Sequence, residues 1–226
     1  IFMKTRIEIE RTYWKENIKN PKEELCFLIK EISGVSIWQI NYKEFVEFRY
    51  KNQNYDKAKY VFKVNHGNLY YRTNMKKRIS DIKNDIQIYE EKISEWKTIE
   101  ELDNTDFIKN IQYICFKESY SAKCIFEGKK IKIILQVIKF IDSNFHNTRL
   151  FNYLEIEEIE GNDIQKKLDN IMKKYGYSAL DFQHCKTSLG EKVLNSSILK
   201  DYTLKDIEQQ IYDIMLNCKI EYFNNN

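Results

Sequence analysis

Polar and apolar positions alternate along the first segment of the chain. From Lys4 to Tyr13, Arg6, Glu8, Glu10 and Thr12 share one face while Ile7, Ile9 and Tyr13 share the other. This is the two-residue period of a β-strand. The period then changes. Asn20-Pro21 is a helix start signal, and Leu25, Leu28, Ile29 and Ile32 recur at helical spacing up to Gly34.

From about Val35 to Glu160 the two-residue period returns and dominates. Phe45 to Lys51 sets Glu47, Arg49 and Lys51 against Val46, Phe48 and Tyr50. Tyr60 to Val64 and Leu69 to Ile79 flank Asn65-His66-Gly67-Asn68, a hairpin loop in composition. Ile82 to Ile93 is read as a further strand, with helix as the alternative, and a short helix is expected near Ile99 to Ile108. Three strands complete the zone: Ile111 to Phe126, then Lys130 to Ile141 after a turn at Glu127-Gly128, then Leu150 to Ile159. The remainder is helical. Asp163 opens a segment with Ile164, Leu168 and Ile171 on one stripe, ending at Tyr175-Gly176. A last helix is expected from about Leu204 to Leu216, through Ile207, Ile211 and Ile214. Without a repeat or linker, a single domain over residues 1–226 is expected, its core spanning about 4–190 and a helical extension 191–226.

Composition narrows the class. At 42% hydrophobic and 31% charged, the 226 residues are too apolar for a disordered tail and too polar for a membrane protein. The most apolar stretch, Ile131 to Ile141, is interrupted by Lys132, Gln136 and Lys139 and is too short to cross a bilayer. The start reads as a tag remnant before Met3, with no apolar leader. Five cysteines without Cys-x-x-Cys spacing read as free thiols, so a cytoplasmic location is expected. The adjacent His184-Cys185 pair has nothing nearby to complete a site. The 37 basic and 34 acidic side chains leave a net charge of +3, which disfavours a dedicated nucleic-acid binder unless the lysines gather on one surface.

Their placement is therefore informative. Glu8 and Glu10 share one strand face, and Glu155 and Glu157 share another within Leu154-Glu155-Ile156-Glu157. Carboxylates at i and i+2 lie roughly 7 Å apart along a strand. They repel each other unless solvated, paired with bases or bridged by a cation, and hard divalent cations favour such oxygen ligands. The intervening strands supply the opposite sign. Lys117, Ser119, Ser121 and Lys123 share a face, Lys130 and Lys132 begin another, and Tyr70, Arg72, Asn74, Lys76 and Arg78 form a third, with Lys59 and Lys63 near it. If the sheet closes, the two acidic pairs become neighbours facing a lysine-lined interior suited to a metal-chelated polyanion. Otherwise these are ordinary solvated faces.

These residues resemble the CYTH superfamily, the triphosphate tunnel metalloenzymes, which include class IV adenylyl cyclases, thiamine triphosphatases, tripolyphosphatases and RNA triphosphatases. Glu8-Ile9-Glu10-Arg11 resembles the ExExK signature. Phe116-Lys117-Glu118-Ser119-Tyr120, Phe126-Glu127-Gly128, the strand to Ile141 and Leu154-Glu155-Ile156-Glu157 are similar in order and spacing to the family's second half, closed here by Lys173-Lys174-Tyr175-Gly176-Tyr177. The resemblance covers about residues 4–190 and is poorest over 35–95. It implies an α+β fold, an eight-stranded antiparallel β-barrel clad by helices with a helical C-terminus. It implies Mg²⁺ or Mn²⁺ on Glu8, Glu10, Glu155 and Glu157, and catalytic roles for Glu8, Glu10 and Lys117. The substrate-binding set would be Arg6, Arg72, Lys92, Lys117 and Lys132, with Arg49 and Lys77 as alternative placements.

Three positions depart from the family pattern: Thr12 replaces the closing lysine, Ser119 an arginine, and Gln136 an acidic residue. The implied activity is metal-dependent hydrolysis of a triphosphate. Nucleotide cyclisation and binding without turnover are the alternatives. The implied partners are a nucleotide, thiamine triphosphate or tripolyphosphate, with an RNA 5′-triphosphate end as a further possibility, no membrane, and a monomer or homodimer.

Overall fold

The computed structural model describes residues 3–35, 39–81, 87–102, 106–158, 164–181, 183–194 and 202–224. Strand β1 (Met3–Lys15) leads into helix α1 (Pro21–Ser33), followed by β2 (Asn41–Tyr50), β3 (Lys57–Asn65), β4 (Asn68–Asp81), β5 (Gln87–Ser94) and the two-residue β6 (Lys97–Thr98). Then come β7 (Ile111–Phe126), β8 (Lys129–Ile141), β9 (Asn147–Glu158), α2 (Gln165–Lys174), the short β10 (Ser178–Ala179), α3 (Lys186–Val193) and α4 (Leu204–Asn224). Eight of these strands run in the order β1-β5-β4-β3-β2-β7-β8-β9, and β9 pairs back to β1. The sheet is a closed antiparallel barrel, the architecture that the resemblance implied.

Closure depends on β1. Its first part, Met3 to Glu10, pairs with β5, and its last part, Glu10 to Lys15, pairs with β9. Two tight hairpins set the register elsewhere. His66 and Gly67 join β3 to β4, and Glu127 and Gly128 join β7 to β8, all with positive φ (48°, 78°, 48° and 79°). Two successive left-handed residues give the turn whose twist matches that of the flanking strands.

The helices cover the outside. Asn20 caps α1 by accepting a hydrogen bond from the Glu23 N–H at 3.2 Å, and Gly34 ends it at φ 69°. Leu25, Leu28, Ile29 and Ile32 of α1 pack with Leu168 and Met172 of α2 over Ile131, Ile133, Leu154 and Ile156. Arg11 on the outer face of β1 makes two 2.8 Å bonds to Asp169 of α2, and the Tyr13 hydroxyl donates a third at 2.6 Å. Ile207, Ile211 and Ile214 of α4 pack over Val46, Phe48, Phe62 and Phe116. Among the described residues, no helix is long and apolar enough to cross a membrane.

The barrel is thus inverted relative to an ordinary half-buried sheet: its apolar faces point outward beneath helices and its charged faces point in. Ile7, on the outer face of β1, is 60% exposed, whereas Glu8 is 5% exposed. Several sequence expectations change. The helix expected near Ile99 to Ile108 is two 3₁₀ turns, Ile99–Glu101 and Asp106–Asn110. The strand expected from Ile82 to Ile93 spans Gln87–Ser94, and residues 82–86 lie outside the described set. Helix α3 falls in the zone expected to be helical but was not delimited there. It lies against the inward-facing residues Tyr113, Ile138, Phe140 and Tyr153 through Leu189 and Val193.

Gly190 permits that approach. A Cβ built there would stand 2.3 Å from the Cβ of Tyr113, well inside van der Waals contact. Gly190→Val is therefore expected to destabilise the protein by about 1–3 kcal/mol. Differential scanning calorimetry should record a Tm lowered by roughly 2–10 °C.

Candidate active site inside the barrel

Glu10 is the residue at which β1 changes partners: it pairs with Gln87 of β5 on one side and with Glu157 of β9 on the other. Thr12, the next inward residue, pairs with Glu155. The acidic pairs at the two ends of the sheet are thereby adjacent. Glu91 joins them from β5, paired with Arg6. Among the described strand residues, six carboxylates face inward: Glu8, Glu10, Glu47 and Glu91, each at most 5% exposed, and the slightly more open Glu155 and Glu157.

Bases on the barrel strands and on α3 meet each of them. Lys76 contacts Glu8, lies 2.8 Å from Glu10, and lies 3.9 Å from Glu91. Lys57 holds the other oxygen of Glu10 at 2.7 Å. Arg6 donates to Glu91 and, at 3.0 Å, to Glu8, while Lys132 holds Glu157 at 2.9 Å. Further along the barrel, Glu47 receives Lys59 at 2.6 Å and Lys117 at 3.4 Å. Lys186, reaching in from α3, contacts Glu155 at 2.5 Å and the Gln136 side-chain oxygen at 2.7 Å. A cavity of about 590 Å³ opens among these groups, lined by Glu10, Thr12, Glu47, Lys57, Lys59, Lys76, Lys117, Glu155 and Lys186, with Arg49 and Arg78 toward the α3 end.

The proton affinities follow from this pairing. Burial pushes Glu8 up to about 7; Lys76 opposes the shift and Glu10, Glu91 and Glu157 add to it. Burial acts on Glu10 too, but Lys57 and Lys76 together hold it well below the usual carboxylate range. Lys186 and Lys117 likewise outweigh burial at Glu155, bringing it to about 2. Burial lowers Lys59 to about 8, assisted by Lys117 and Lys76 and opposed by Glu47. The same desolvation lowers Lys186.

Most site residues named from the sequence lie in this interior. Glu8, Glu10, Lys117, Glu155 and Glu157 do, as do Arg6 and Lys132 through their bonds to carboxylates. Arg72 shares the inward face of β4 with Asn74 and Lys76, its guanidinium 4.6 Å from the Trp96 ring centroid. Lys92 is a correction. It follows the inward Glu91, so the pleat turns it outward, where it pairs with Glu90 at 3.4 Å. Of the alternative placements, Arg49 lines the cavity, whereas Lys77 stands beside the inward Lys76 on the opposite face of β4. Arg11 and Lys15 do not stand in for a lysine at Thr12: Arg11 binds Asp169, and Lys15 binds Glu24 at 2.8 Å. Ser119 and Gln136 pair directly across β7 and β8. Sequence reasoning missed Lys57, Glu91 and Lys186. The first two carry the inward parity of their strands; Lys186, on a helix not delimited from the sequence, had no such signal.

Three carboxylates, Glu8, Glu10 and Glu91, converge on the Lys76 Nζ within 4.0 Å. Among the described residues, no three acidic, His or Cys side chains are gathered closely enough to hold a metal ion as they stand. Their donor chemistry nevertheless fits one: the set is all carboxylate oxygen, drawn from adjacent strands and already centred on a cation.

Fold and lining together make a closed β-barrel with a charged interior. Compared by sequence, the chain matches no family and no curated protein. Compared by structure, it is similar to HpAC1 from Hippeastrum, a proposed adenylyl cyclase with a dominant triphosphatase activity, at a TM-score of 0.47 and 11% identity over 82% of this chain and 95% of that one. It is also similar to the S. pombe RNA triphosphatase Pct1 in complex with the Spt5 CTD, at a TM-score of 0.37 and 14% identity over 75% of this chain and 78% of that one. Pct1 alone gives 0.37 and 12% identity over 91% of this chain and 84% of that one. These are likenesses of fold.

Glu47 offers a test of the pairing. Its side chain is 2% exposed between Lys59 and Lys117. Glu47→Gln leaves two buried ammonium groups without their anion, so a loss of about 3–5 kcal/mol is expected. Urea denaturation should show the midpoint falling while its slope stays unchanged.

Proposed function

We propose that the tunnel binds the triphosphate group of a small molecule and hydrolyses it with the help of Mg²⁺ or Mn²⁺. The observation that carries this reading is the interleaving of six inward carboxylates with bases from five strands and α3, among which Glu10, Glu47, Glu155, Lys57, Lys59, Lys76, Lys117 and Lys186 line one cavity. A surface built only for an anion has no use for buried acids, and one built only for a metal has no use for so many ammonium groups. Both together suit a polyanion that arrives with its cation.

Lys59, Lys117 and Lys186 would hold phosphoryl oxygens and keep the chain in line for attack. Each ammonium offers three donors, and each is preorganised by a carboxylate partner. Glu8, Glu10, Glu155 and Glu157 would hold the metal ion, which when bound neutralises charge on the phosphate oxygens. Water as nucleophile makes the reaction a hydrolysis. Attack by a ribose hydroxyl would make it a cyclisation, and the two share this phosphate-binding wall.

Incubation with Mn²⁺ and, in turn, tripolyphosphate, thiamine triphosphate, ATP and triphosphorylated RNA is expected to release orthophosphate from at least one of them. Pyrophosphate with a cyclic nucleotide from ATP would reassign the reaction to cyclisation. Thermal protection without product would reassign the tunnel to binding alone, and no rise in Tm with any compound would overturn the reading. The double substitution Glu8→Gln/Glu10→Gln is expected to bring kcat below detection. Binding should also depend on pH through Lys59, which faces Glu47, Lys117 and Lys76 and loses its charge as pH rises through about 8. Tripolyphosphate affinity is expected to fall by up to about tenfold between pH 7 and pH 9. Lys59→Arg should flatten that profile in calorimetric titrations, apart from any contribution of Lys186, which burial also lowers.

A further inference from the structure

We infer that Lys76 is an internal counter-ion whose exchange makes metal binding and polyphosphate binding mutually dependent. The inference rests on the triphosphate reading and concerns its regulation. Lys76 is 13% exposed and its Nζ touches Glu8, lies 2.8 Å from Glu10 and lies 3.9 Å from Glu91. It therefore occupies the point on which the carboxylate oxygens converge. It also lines the cavity, with Lys57 and Lys59 on the neighbouring strand.

A divalent cation arriving alone must expel this ammonium from the carboxylates. The ammonium then stands in the cavity beside like charges, where the other carboxylates, Glu47 and Glu155, are already held by Lys59, Lys117 and Lys186. A polyphosphate arriving alone must draw the ammonium away, leaving the three buried acids Glu8, Glu10 and Glu91 with only Lys57 and Arg6 to balance them. Each ligand alone breaks pairs it cannot replace. Together they exchange partners: the metal takes the carboxylate oxygens and Lys76 passes to the phosphate. The result is positive coupling between two ligands of opposite charge, and by linkage it is equal in both directions.

The experiment measures Mn²⁺ binding by electron paramagnetic resonance, with and without imidotriphosphate, a triphosphate whose bridging nitrogens resist hydrolysis. The proteins are the full chain and its Lys76→Met and Lys76→Arg variants, with circular dichroism to verify folding. Without imidotriphosphate, Lys76→Met is expected to bind Mn²⁺ about tenfold more tightly than wild type, and Lys76→Arg no more tightly than wild type. With imidotriphosphate, wild type is expected to tighten for Mn²⁺ by about 5–150-fold beyond chelation in solution, and Lys76→Met by much less. Equal Mn²⁺ affinity in wild type and Lys76→Met would overturn the exchange. So would independent binding of the two ligands by wild type, a result that needs no variant. If neither ligand binds wild type or Lys76→Met, singly or together, the triphosphate reading itself is overturned, and this inference with it.

Discussion

Charge balance inside a closed wall is the constraint on which the rest of the structure depends. A barrel has no free edge, so every inward side chain must find its partners on neighbouring strands, across the lumen or in the water it admits. Carboxylates as deeply placed as Glu10 and Glu47 would cost several kcal/mol each if left alone. The sequence meets this by distributing bases over other strands: Lys57 and Lys76 reach Glu10 from β3 and β4, and Lys59 and Lys117 reach Glu47 from the two strands that flank it. The apolar faces then have only one place to go, outward, which is why α1, α2 and α4 are needed as a coat.

Such pairs are poor sources of stability. Replacing them by well-packed apolar residues would often be neutral or stabilising. The folding free energy is carried instead by the layers between barrel and helices, where Leu25, Leu28 and Ile29 meet Ile131 and Ile156 and where Ile211 meets Phe48 and Phe62. The fold thus separates two tasks. The outer layer holds the barrel shut, and the interior is free to keep ion pairs that a ligand can rearrange.

Much of this was legible because a strand has a period of two. Glu8 and Glu10, or Lys117 and Ser119, fall on one face whatever the register, so the charged faces were visible before any pairing was known. Direction was less legible, since alternation alone does not say which face is inside; the acidic pairs decided it only through closure by β1. Lys92 shows the cost of a one-residue error, because the same period that reveals a face inverts it when the strand is misaligned. Lys57 lies before the stretch expected as a strand, and Lys186 lies on an eight-residue helix whose start is capped by the Cys185 sulfur rather than by a familiar capping residue. Neither short-range signal was strong enough to place them.

The double pairing of β1 has a consequence for how the protein comes into being. Strand β1 finds its partners only after residues 87–94 and then 147–158 have been made. Contacts between such distant segments form slowly, because a long loop must close before any pairing rewards it. Until then β1 is an unpaired edge, and Arg6, Glu8, Glu10 and Arg11 are the kind of charged residues that discourage such an edge from joining another chain. Glu10 and Glu157 meet only in that final closure. The juxtaposition of the two acidic pairs therefore depends on closure, and a sheet left open at β1 and β9 would keep Glu47 with Lys59 and Lys117 but lack the meeting of Glu10 with Glu157.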